Sequence, residues 1–123
     1  MLKIRETQFG SLVEPALEDF AERLREVLRR RLPARTEALD ETALRERTLR
    51  SLRVAYSHGV LSERALADWV ILDLTCGSDF PAQSWARAEI EAAGPCWSPA
   101  GGQDLHRGNA LVAALIAAAI HER

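Results

Sequence analysis

Aromatic residues are scarce in this 123-residue chain, at 6% against 47% apolar residues in all, so its core has to be built mainly from Leu, Ala and Val. β-Branched residues are few, and no stretch alternates apolar and polar residues over the length of a strand, which argues against a sheet. Cysteine is limited to Cys76 and Cys96. Without CxxC spacing or a secretory leader, the expectation is a reduced, cytoplasmic chain. Met1-Leu2-Lys3-Ile4 is too short an apolar opening for a signal peptide. The longest apolar run, Ala110 to Ile120, has eleven residues, whereas a bilayer needs about twenty, so no membrane partner is expected. A large excess of one charge is also missing. Met1 to Leu61 holds twelve basic and ten acidic residues, and Ser62 to Arg123 four and eight. Acids interleave with the arginines, so no basic face is left for nucleic acid.

What is present is helix-forming sequence. Ala and Leu dominate, and the chain reads as one all-α domain over residues 1–123, a bundle of about five helices. Val13, Leu17, Phe20, Leu24, Val27 and Leu28 make one stripe, with acids at its start and Arg29, Arg30 and Arg31 at its dipole-matched end. Gly10 and Pro15 predict a break or bend between Gly10 and Glu14. Pro33 to Leu39 reads as a connector. Asp40 is a plausible cap for a second helix carrying Leu44, Thr48, Leu49, Leu52, Ala55 and Tyr56 inward, with Arg45, Glu46, Arg47, Arg50 and Arg53 outward.

The segment from Tyr56 to Trp85 is the most informative. His58 and Gly59 stop one helix and Ser62 starts the next, while Val60 and Leu66 have staple spacing across the turn. The third helix, Glu63 to Cys76, is apolar almost all round apart from Asp68 and Asp73. Gly77 ends it, and Ser78-Asp79-Phe80-Pro81 turns the chain into a fourth helix capped by Ser84. Gly94 to Gly102 reads as turn chemistry, too rich in Gly and Pro for regular structure. The last helix, from Asp104 or Leu105 to His121, carries Leu111, Val112, Leu115, Ile116 and Ile120 over a floor of alanines. The expected core comprises Leu17, Phe20, Leu24, Leu49, Leu52, Tyr56, Leu66, Trp69, Val70, Leu74, Leu111 and Leu115.

Chemistry-bearing constellations do not emerge. Asp104 to Asn109 resembles the catalytic loop of small-molecule phosphotransferases, but no phosphate-binding lysine or second metal aspartate accompanies it; Asp104 reads better as a helix cap. His58, His106, His121, Cys76 and Cys96 lack the close pairing of a zinc site. His58 reads as a helix C-terminal residue whose positive charge is welcome. Asp68 and Asp73 point about 140° apart on a helix and cannot share a small site. No catalytic residue, metal or cofactor is expected. A helix-turn-helix reading around Ser57 to Ser62 fails on its second helix, which offers one arginine and a wall of hydrophobes to the bases; DNA binding is a remote alternative.

The opening MLKIRETQFGSL, then FAERLREVLRRRLP, AYSHGVLSERALADWV and the Gly77 to Phe80 loop ahead of Trp85-Ala86 together resemble a group of small bacterial helical proteins. These are encoded beside type VI secretion adaptor chaperones and spike proteins. The likeness covers roughly residues 1–91 and differs by one residue at the turn Tyr56-Ser57-His58-Gly59-Val60, where many relatives read Tyr-Gly-Ile. It implies a cytoplasmic accessory or co-chaperone that binds an adaptor chaperone or effector. An immunity protein that blocks a toxin is the alternative from another class.

The residues themselves point to protein binding, because the third and last helices carry more apolar surface than a small bundle readily buries. Val112, Ile116 and Ile120 are the expected contact positions, with Asp79, Phe80 and Trp97 as rim anchors. Pairing of two copies is open.

Overall fold

A computed structural model describes the backbone of residues 6–93, 97–98, 102–103 and 105–121, and the side chains of residues 14–93 and 107–121. The fold is all-α. Among the described residues six α-helices run in chain order: α1 Glu6–Arg31, α2 Pro33–Thr36, α3 Glu41–Ser57, α4 Glu63–Cys76, α5 Ser84–Ala93 and α6 Leu105–His121. A 3₁₀ turn, Phe80–Ala82, precedes α5. The chain divides into two compact units, Met1–Arg50 and Ser51–Arg123.

In the first unit α1 is continuous, so the interruption expected between Gly10 and Glu14 is not a break. Pro15 lies inside the helix and withholds one N–H. Its exposure lets the ring face water, and propagation on both sides, one hydrogen bond per added residue, outweighs the single loss. Leu17, Ala21, Leu24 and Leu28 form the buried stripe. The connector contains the one-turn helix α2, started by Pro33 in the first helical position, where a missing N–H costs nothing. Thr36 ends it, buried, with its hydroxyl donating to Leu32 O at 2.9 Å. Asp40 caps α3 as expected, accepting from the Ala43 N–H at 2.7 Å.

In the second unit α3 ends in a Schellman motif. Val60 N donates to Ala55 O and Gly59 N to Tyr56 O, with Gly59 at φ 83, a conformation that costs a side-chain-bearing residue about 1–2 kcal/mol. Ser62 then caps α4, accepting from the Ala65 N–H at 3.2 Å. Val60 and Leu66 are both buried. At the far end Gly77, at φ 104, closes α4 with its N–H on Asp73 O.

Three further expectations need correction. The Gly/Pro-rich segment contains a two-residue antiparallel ladder, Trp97 opposite Gln103 and Ser98 opposite Gly102, because a turn-rich stretch can fold back on itself without any alternating pattern. Ser84 is the first residue of α5, with Gln83 ahead of it. Phe20, Leu49 and Tyr56, expected in the core, are half-buried, since each sits at the border of its stripe. Leu17, Leu24, Leu52, Leu66, Trp69, Val70, Leu74, Leu111 and Leu115 are buried as expected. Asp104, the proposed cap of α6, lies outside the described residues.

Candidate functional site

Within the second unit, α4 and α6 run side by side in the same direction. Their starts are tied where Ser62 Oγ donates to Asn109 Oδ1 at 2.8 Å. One turn of helix is also in backbone contact there: a Cβ added to Gly108 would lie 2.3 Å from Gly59 O and 3.0 Å from Val60 Cα. The phosphotransferase-like string Asp104 to Asn109 therefore owes Gly108 and Asn109 to packing against the turn between α3 and α4.

Toward the ends of the two helices lies an open groove of about 270 Å³. Ile71, Leu72, Thr75 and Cys76 of α4 form one wall, and Ile116, Ala119 and Ile120 of α6 the other, with Asp68 at the rim. Ile120 is 70% exposed, the outstanding large apolar side chain on the described surface. Beside it, Ala110, Ala113 and Ala117 are the other exposed residues of α6 between Asn109 and His121, so the outer face of this helix has no charge over about three turns. Among the described residues Asp68 is the sole charged group of the lining.

The loop after α4 is anchored by rings. Trp69 contacts both His58 (centroids 5.4 Å apart, planes at 27°) and Phe80 (5.0 Å, 60°). Phe80 in turn stacks on Trp85 at 6.1 Å. Gln83 completes the assembly: its Nε2 donates to Cys76 O at 3.2 Å and to Asp79 Oδ1 at 3.3 Å, and its Oε1 accepts from Trp85 Nε1 at 2.8 Å. His58 is half-buried against Trp69, and desolvation pushes its pKa below the ordinary 6.5. The expected welcome for a positive charge at this helix end is thus reversed, because the ring has left water for an aromatic face.

No protein-family model, curated protein or solved structure matches the chain. Geometry has to carry the site.

Two of the expected contact residues, Ile116 and Ile120, meet in the groove. Phe80 and Val112 do not belong to it. Phe80 is 0% and Val112 2% exposed, and both are core: loop chemistry around Phe80 hid its ring partners, and Val112 lies on the inward stripe with Leu111 and Leu115. Asp79 is exposed but serves its own loop through Gln83. The Trp97 side chain lies outside the described residues. Sequence reasoning missed Ile71, Thr75 and Asp68 as groove residues, although Asp68 was legible as a polar exception on an apolar helix.

A second concavity, about 470 Å³, lies in the first unit among Arg25, Glu26, Arg29, Arg30 and Glu41. Its charges answer one another. Arg29 Nη1 donates to Thr36 O, and its Nη2 donates to Leu39 O at 2.7 Å and Glu41 Oε1 at 3.0 Å. Arg25 donates to Glu41 and pairs with Glu22 at 2.9 Å. The Arg25 hydrogen bond, ahead of the arginine charges, holds the Glu41 carboxyl below the ordinary 4.5. Arg29 is therefore a structural tie, while Arg30 and Arg31 remain solvated. Among the described residues no group of three His, Cys, Asp or Glu could hold a metal ion, and no helix is long and apolar enough to cross a membrane.

Proposed function

We propose that this protein is a non-catalytic, cytoplasmic accessory or co-chaperone of a type VI secretion effector–adaptor system, and that it binds an adaptor chaperone or effector through the α4/α6 groove. The observation that carries the protein-binding half is the exposed Ile120 beside an uncharged helix face and an apolar groove. Isolated exposed apolar residues need no explanation, whereas a contiguous apolar surface marks an interface. The secretion half rests on the resemblance of residues 1–91 described above.

The test is capture of a type VI adaptor chaperone from the native host by the tagged chain and by Ile120→Asp. Ile120 is mostly in water, so the substitution leaves the melting temperature in place while capture is lost. Undiminished capture by Ile120→Asp removes the groove from the reading. Capture of a toxic enzyme alone returns the immunity alternative.

A further inference from the structure

We infer that the α4/α6 groove takes a single helix of the partner, one that lays an apolar stripe along the groove and sets a lysine or arginine against Asp68. The inference deepens the protein-binding reading above and rests on it. From Asp68 to Cys76 the α4 wall extends about 12 Å, or two helical turns, and Asp68, Leu72, Thr75 and Cys76 recur along it at four-, three- and one-residue steps. Such a wall matches side chains at i, i+3 or i+4, and i+7 of a docked helix. A strand is a poor occupant. Its backbone N–H and C=O groups would enter an apolar trough without partners, whereas a helix satisfies its own.

Charge selects among helices. Asp68 is half-buried and accepts no hydrogen bond and joins no ion pair within the described residues. Covering it with an apolar or acidic ligand strips water from a carboxylate and returns nothing, while a basic side chain compensates the loss. The same carboxylate argues against a second copy of this chain. Isologous pairing of two grooves brings together linings whose sole charge among the described residues is Asp68 in both. It argues equally against an anionic bilayer.

A displayed library of amphipathic helices about 18 residues long, with a fixed leucine stripe and one flanking position varied among Lys, Arg, Ala, Glu and Asp, tests this on the full chain. The wild type should enrich Lys and Arg clones about fivefold over Ala. Asp68→Lys should transfer the enrichment to Glu and Asp, and Ile120→Asp should abolish it, all three proteins melting alike. Enrichment without charge preference, no enrichment above the Ile120→Asp background, or a dimer in sedimentation that Ile120→Asp dissolves each overturns the inference. If basic helices are selected but no adaptor is captured, the secretion reading fails while the inference stands. If the adaptor is captured through Ile120 and the helices show no charge preference, the inference fails alone.

Discussion

Gly108 shows how one residue reverses a propensity rule. Replacing a helical glycine with alanine ordinarily favours the helix by about 1 kcal/mol. Here the new methyl would sit 2.3 Å from Gly59 O, a backbone atom that cannot rotate away. Gly108→Ala should therefore destabilise the protein by about 1–3 kcal/mol, the usual range for overpacking, as read by urea unfolding; a stabilised variant would show that α6 does not approach the turn so closely. Thr48 behaves in the opposite sense. Its hydroxyl is buried on α3 without a hydrogen-bond partner, so it carries a desolvation cost with no return. Thr48→Val keeps the shape and should raise stability by about 1 kcal/mol; a loss in the same urea melts would mean the hydroxyl is satisfied.

At the scale of elements, the segment from α4 to α5 depends on rings converging from separate pieces of chain. Trp69 comes from the helix, Phe80 from the 3₁₀ turn and Trp85 from the start of α5. Gln83 ties the same loop to the Cys76 carbonyl, an acceptor left over at the end of α4. Phe80→Ala should cost about 3–5 kcal/mol, as for other buried large aromatics. An interface anchor at the rim would instead lose partner capture with stability nearly unchanged, so paired melts and capture assays on this variant separate the two roles. The capping signals here were legible locally: Asp40, Gly59, Ser62 and Gly77 each act within a few residues along the chain. Phe80 was not, because nothing within its loop reveals the two tryptophans.

For the whole molecule, pH is the accessible lever. His58 has its pKa lowered by burial, so the unfolded chain binds more protons than the folded one below the ordinary value of 6.5. Stability is then fully present above that value and declines as pH falls toward the folded pKa. Glu41, held low chiefly by its hydrogen bond from Arg25, adds a second loss of the same sign only below about 4.5. His58→Phe keeps a ring over Trp69 and removes the titration. Thermal melts between pH 7 and pH 5 should show a decline in the wild type that is shallower in the variant; parallel curves would place the pH dependence elsewhere.

Periodicity and capping, both local properties of the backbone, set the helical class, the limits of most helices and their caps before any tertiary contact is known. The sequence also marked α4 and α6 as carrying surplus apolar surface, and both line the groove. Tertiary structure decided where that surplus lies. Val112 and Phe80 were lost to the core, Ile116 and Ile120 were left at a groove, Asp68 was set on its rim, and the charge preference of His58 was inverted. Each of these depends on which distant side chain arrives opposite, and α6 reaches α4 only because Gly108 lets two backbones touch across nearly fifty residues of chain.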